Sequence, residues 1–338
     1  MIDERAILES AIEQEPDRID NYLVLADVLT AAGDPRGELT VIMHRDDPVL
    51  ADRRRELMDA DRGSIFRETG DPVEMTWRLG WPQAATLDLS VARHRLQLAA
   101  LLDHPASRFL AELHVTIATT GDDDTLPGSN LDEVLEVLAR RPRPLLRSLS
   151  IVQREIGGGS HAPGWLTVPD VECGHEPDAL WPCIPKVERL RASGGPMFHA
   201  LIGPALRTLV VEGAPFCDHG DWEAPQLASL DARCDLHELA TLCGRELPAL
   251  RDLTVRGVSF DPDSMFAYAE IGAVVRALDR LRVPVSFIAG HGGDLEAAIE
   301  RHVDDLEHLA TLVITGVEPA SIHGAVGVDT LPNLTLLP

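Results

Sequence analysis

The chain of 338 residues is short of lysine, aromatic residues and positive charge, and each shortage excludes something. Lys186 is the single lysine beside 29 arginines, a bias across the whole composition that makes no individual arginine a signal by its identity alone. Aromatics make up 4%, so Leu, Val and Ala must fill whatever core forms. The formal net charge of −25 argues against phosphate backbones and anionic lipid surfaces as default partners, so neither a nucleic acid nor a membrane is expected. No apolar run approaches the ~18 residues a membrane span needs. Five cysteines (Cys173, Cys183, Cys217, Cys234, Cys243) are odd in number and scattered, which suits a reducing compartment better than a disulfide framework. The opening residues are acidic with no basic-then-apolar leader, so a cytoplasmic location is expected.

What the chain does have is repetition. The unit Pro-x-Leu-Arg-x-Leu-x-[Val/Ile] occurs as Pro144–Ile151, Pro204–Val211 and Pro248–Val255, with looser copies at 110–115, 187–192, 227–232, 309–314 and 334–337. Leu190, Leu209, Leu230 and Leu253 follow one another at intervals of 19, 21 and 23 residues. That spacing lies at the short end of leucine-rich repeats, in which each unit is a strand plus a returning arc and stacked units share one core. The strand half resembles a leucine-rich repeat. The rest departs from it, because Ala214, Asp235, Val258, Gly195 and Val317 stand where the usual unit places Asn. The fold expected on this reading is α/β, a curved and degenerate leucine-rich-repeat solenoid. A plain α/β domain with amphipathic strands is the rival, since helical stretches at 131–140, 236–243, 272–280 and 294–302 alternate with the strands.

Residues 1–72 lack the repeat and read as a separate helical module, followed by the repeat region 73–338 with insertions at about 118–130 and 153–184. Ile7, Leu8, Ala11 and Ile12 form one apolar stripe, ended by Pro16. Tyr22, Leu25, Val28, Leu29 and Ala32 form a second, with Asp20 as its expected cap and Gly33 beyond its end. Asp34-Pro35 reads as N-cap and first residue of a third helix, and a fourth is expected from Val49 to about Arg67, breaking near Gly63.

The stretch from Leu23 through Ala26-Asp27, Gly33-Asp34-Pro35 and Arg36-Gly37-Glu38 resembles the signature of the bacterial repeat-companion domain. Arg53–Leu57 and Thr76–Trp81 resemble its continuation. Val28 stands where that family usually has Trp. The resemblance implies a helical cap on a bacterial repeat protein and implies no reaction. A solenoid's first repeat also needs a cover with a polar outer face, which such a module supplies.

No catalytic, cofactor or metal site is expected. Cys173, His175, Cys183, Cys217, His219, Cys234 and His237 are soft ligands, yet no Cys-x-x-Cys pair is present. Gly157–Ser160 lacks the Lys-Ser/Thr of a phosphate loop, and no hydrolase motif occurs. No small-molecule substrate is inferred. The expected function is protein–protein interaction. Arg147, Arg189, Arg191, Arg207, Arg233, Arg251 and Arg256 lie between the repeat leucines and are expected to form a concave strip that receives an acidic partner segment. The alternative makes the chain a substrate or sensor of a caspase-like bacterial protease in a conflict system. Cleavage would then fall in the Gly157–Gly164 insertion, with Arg154, Gly157, Gly158, Gly159 and Ser160 as the mobile site.

Overall fold

In the computed structural model, the described residues are 4–67, 73–89, 94–120, 130–156, 177–194, 197–213, 216, 221–233, 242, 245–258, 285–289, 311–315 and 334–337. They divide between two compact units, Met1–Gly159 with Ala179–Val187, and Ser160–Asp178 with Glu188–Pro338.

The first unit opens with four helices: α1 (Glu4–Gln14), α2 (Ile19–Ala31), α3 (Pro35–Arg45) and α4 (Ala51–Ile65). Asp34 caps α3, its carboxylate accepting from the Arg36 backbone N–H at 3.1 Å, with Pro35 in the first turn. The α2 start differs from expectation. Asp20 lies inside the first turn, and Arg18 holds the cap position without a side-chain bond. Helix α4 also runs through Gly63 unbroken. Gly33 turns the chain out of α2 with φ +73°, a conformation only glycine adopts without strain.

Four strands follow in this unit: β1 (Glu74–Arg78), β2 (Trp81–Asp88), β3 (Glu112–Thr120) and β4 (Ser148–Ile156). The β1–β2 hairpin is antiparallel and turns at Leu79 and Gly80, both at positive φ. The β2–β3 and β3–β4 pairs are parallel, and α5 (His94–Asp103) and α6 (Asn130–Ala139) precede β3 and β4 respectively. Ile12, Tyr22, Leu25 and Leu29 pack with Trp81, Phe109 and Leu145. Three aromatics meet there: Phe109 lies 4.7 Å from Trp81 and 5.8 Å from Tyr22, both edge to face. A second cluster joins Leu39, Ile42 and Leu57.

The second unit contains β5 (Arg189–Gly194), β6 (Leu201–Ile202), β7 (Thr208–Gly213), β8 (Trp222–Glu223), β9 (Ser229–Arg233), β10 (Asp252–Val258), β11 (Val285–Ala289), β12 (Thr311–Thr315) and β13 (Leu334–Leu337). Strands β5, β7, β9, β10, β11, β12 and β13 pair in that order, every pair parallel. The short β6–β8 pair lies beside stacked Phe198 and Phe216 (5.4 Å) and Trp222 at 4.9 Å from Phe216.

The sequence repeat has a local structural meaning. Each copy begins with a turn that carries proline at its second position. The N–H of Leu146, Val187, Leu206, Leu227 and Leu250 bonds back to the carbonyl of Arg143, Ile184, Gly203, Ala224 and Leu247. Pro144, Pro185, Pro204, Pro225 and Pro248 stand next in line after those carbonyls, where their fixed φ suits the turn. Beyond the turn a neighbouring carbonyl takes two N–H groups at once. Glu188 O receives Arg207 and Thr208, Arg207 O receives Ala228 and Ser229, and Ala228 O receives Arg251 and Asp252, all within 3.0 Å. In the first unit Ala111 O receives Arg147 and Ser148 in the same way.

The curved leucine-rich-repeat solenoid is nevertheless overturned. The chain is an α/β fold with a mixed, mostly parallel sheet and helices. A solenoid requires one register and one kind of return path. Leu190, Leu209, Leu230 and Leu253 are in register with one another, and so are Leu113 and Leu149. Elsewhere the row breaks. Leu87 pairs with Val115 rather than Leu113, Leu253 pairs with Val285, and Leu312 pairs with Phe287 and Leu334. Leu337 faces Thr315, and β10 carries an irregularity between Arg256 and Val258. The return paths among the described residues also differ, running through helices in the first unit and through β6 between β5 and β7 and β8 between β7 and β9 in the second. The repeated motif encodes the turn and the strand, and it leaves both the return and the register to longer-range packing.

Candidate functional site: the polar strand face

Alternation along β5, β7, β9 and β10 sorts their residues onto two faces. Leu190, Leu209, Leu230 and Leu253 are buried, as are Ala192, Val211, Ala232 and Val255. The other face carries Arg189, Arg191, Glu212, Asp231, Arg233 and Asp252, with Thr208, Val210, Ser229 and Thr254 between them. Arg189, Arg191, Arg233 and Asp252 are exposed and the remainder half-buried. Parallel sheets are ordinarily covered on both sides. Here one side is apolar and closed, while the other is charged and reaches solvent.

The register decides which charges meet. Arg191 donates through Nη2 to both carboxylate oxygens of Glu212, at 3.0 and 3.1 Å, and Glu212 is itself opposite Arg233 on β9. Arg189 is in line with Thr208, Ser229 and Asp252, and Arg191 with Val210, Asp231 and Thr254. Sequence reasoning placed Glu188, Glu212, Asp231 and Asp252 beside the arginines on this face, with a solvated face of cross-strand pairs as the rival to a docking strip. What the sequence does not give is which charges meet, since Glu212, Asp231 and Asp252 stand three after, one after and one before their in-register leucines.

Arg207 and Arg251 are exposed, just ahead of β7 and β10, with Ala228 between them in the row of shared carbonyl bonds. Arg147 belongs to the first unit, half-buried and immediately before β4. Arg256 is in β10 opposite Ile288. Arg154 is exposed on β4 in register with Ala118, while Gly157, Gly158, Gly159 and Ser160 lie outside the described residues. So do the candidate ligands Cys173, His175, Cys217, His219, Cys234 and His237. Cys183 is a free thiol whose Sγ donates to Ala139 O at 3.2 Å, and no metal-binding cluster occurs among the described residues.

No family model, characterised protein or solved structure matches the chain. The functional reading therefore rests on the residues themselves. No helix among the described residues is long and apolar enough to cross a membrane.

The signature-like stretch in the first unit forms a polar knot that sequence reasoning did not foresee. Arg36 is buried, donates through Nε to Asp34 at 2.9 Å and through Nη2 to the other oxygen, and lies over the Trp81 ring. Burial would raise the Asp34 pKa, but its bonds from Arg36 hold it below the usual carboxylate value. Burial likewise raises Asp61 to about 6, and its Oδ2 has no hydrogen-bond partner. Gly37 brings α2 and α3 together: a Cβ there would meet Thr30 Oγ1 at 2.4 Å and Ala26 O at 2.5 Å. Glu38 accepts two bonds from Arg53, at 2.8 and 2.7 Å, tying α3 to α4. These residues brace the helices against one another.

Proposed function

We propose that the chain is a non-enzymatic binding protein that receives a protein partner on the polar face of β5, β7, β9 and β10. The observation that carries this reading is an uncovered, charged face on parallel strands whose opposite face is fully buried. A sheet of this kind loses nothing in its own core by leaving that face polar, and a partner segment bearing carboxylates finds arginines held at strand spacing. The helical start of the first unit, with its resemblance to the repeat-companion domain, accompanies the binding unit as a cap module of a bacterial cytoplasmic protein. The free Cys183 thiol accords with that compartment.

Arg189 and Arg233 test the reading, because both are exposed on that face. Neutralising both to Gln should leave circular dichroism and melting close to those of the native chain while weakening capture of the partner that the native chain retains. Unchanged affinity for that partner at low salt, where charge effects are largest, would remove the face from consideration.

A further inference from the structure

Arg143, in the first unit, is 7% exposed, and its Nε and Nη2 have no hydrogen-bond partner among the described residues. These two nitrogens form one edge of the guanidinium, the edge whose N–H groups run parallel and match the two oxygens of a carboxylate. The residue cannot drift from its place. Its backbone N–H bonds to Cys183 O at 2.6 Å, and its carbonyl closes the proline turn to Leu146. It lines a cavity of about 510 Å³, a volume within the range of small-ligand sites. The rim is exposed at Asp103, Arg108 and Arg141.

The charges around the cavity balance in pairs except at Arg143. Glu9 and Glu13 are engaged by Arg108, and Glu9 also by Arg5 at 2.7 Å. Arg141 stands 3.9 Å from Asp103. Burial lowers the Arg143 pKa without bringing it near neutrality, since an arginine stays charged in proteins. One buried positive charge is left over, with a two-pronged donor edge unused. A buried charge without a partner is costly, and filling that edge relieves the cost.

We propose that this cavity is a binding site for a single carboxylate, held side-on by Nε and Nη2 of Arg143. A dianionic phosphate is disfavoured there, because Glu9, Glu13 and Asp103 line the same space and only one positive charge is uncompensated. The carboxylate belongs to a peptide end or to a small organic acid. Both nitrogens are closed to solvent, so entry requires a small displacement of the side chains at the rim. The site lies wholly in the first unit and stands apart from the strand-face reading.

Calorimetric titration of the full chain with propionate, N-acetyl-trialanine, the C-terminal amide of that peptide, and inorganic phosphate tests the assignment. Saturable binding of the peptide acid but not its amide identifies a peptide end, and binding of propionate identifies a small acid. Arg143→Met should weaken the bound acid by about tenfold or more, the scale of a lost charged hydrogen-bond pair. Arg143→Lys should also weaken it, since an ammonium lacks the fork. Neither variant should melt lower, because Arg143 makes no side-chain bond that would be lost. Equal binding of acid and amide, tighter binding of phosphate, no binding of any probe, or unchanged affinity in Arg143→Met would overturn the proposal. Should Arg143→Met fail to fold, the comparison of acid with amide on the native chain decides.

Discussion

The guanidinium carbon of Arg36 lies 5.0 Å from the centre of the Trp81 ring, so a charge from α3 rests on the first residue of β2. Trp81 is 2% exposed and also meets Phe109, which makes this contact one bridge between the helices and the sheet of the first unit. A buried cation–π contact contributes roughly 1–2 kcal/mol. Arg36→Met would remove both guanidinium bonds to Asp34, leaving its capping bond from the backbone N–H, and should cost about 3 kcal/mol, the scale of breaking one side of a buried ion pair. Chemical denaturation of Arg36→Met beside Asp34→Asn measures it, and a loss below about 0.5 kcal/mol would show the pair to be idle.

Gly37 predicts a second loss. Alanine at this position would drive its Cβ into Ala26 O and Thr30 Oγ1, and backbone cannot retreat as a flexible side chain does. Gly37→Ala should cost about 1–3 kcal/mol despite the higher helix propensity of alanine. A gain in melting temperature would mean that α2 and α3 can separate freely.

Asp61 predicts a pH dependence. Its folded pKa of about 6 exceeds the unfolded value of 3.8, with burial the main cause. The stability contributed by the protonated form is fully present below pH about 4 and is lost as pH rises through about 6. Asp61→Asn should therefore raise stability at pH 7 by roughly 1–3 kcal/mol and flatten the profile between those values. Asp34 has the opposite sign. Its lowered pKa gives stability that is present above about pH 4 and fades in more acid solution, so the two contributions separate on a titration of melting temperature. A profile for Asp61→Asn that overlays the native one would refute the assignment.

Leu209 predicts the core cost in the second unit. It is fully buried between Leu190 and Leu230. Leu209→Ala should lose about 2–5 kcal/mol. The Arg191–Glu212 pair on the opposite face should contribute little by comparison. Its side chains are 48% and 27% exposed, and a double-mutant cycle is expected to return about 0–1 kcal/mol. The contrast separates the face that holds the fold from the face left open for recognition. Equal costs at the two positions would contradict that division.

Much of the local structure was legible in the chain. Asp34-Pro35 announced the start of α3, and the apolar stripe Tyr22, Leu25, Leu29 announced the buried side of α2. The repeated Pro-x-Leu-Arg-x-Leu announced a strand each time it occurred in the described residues, while the proline turn ahead of it came to light only in the hydrogen bonds. Such features follow from backbone preferences and side-chain period within a few residues, which is why a sequence alone displays them. The cap of α2 was misread, because Asp20 and Arg18 compete within one turn and only packing sets where the helix begins.

The sequence by itself determined that turns and leucine-bearing strands alternate with helices, that the helical start is a separate pattern, and that arginines recur between the strand leucines. Tertiary structure decided the rest. Register placed Leu312 beside Phe287 rather than in the Leu253 row, which no spacing along the chain could reveal, because pairing is chosen by what the two strands bury together. It joined Arg191 to Glu212 and set Glu212 opposite Arg233, and it brought Asp103 and Arg141 to the cavity that Arg143 lines while leaving Nε and Nη2 of the last without a hydrogen-bond partner. Local propensity is written in neighbours along the chain. Charge balance belongs to neighbours in space, and only the folded chain supplies those.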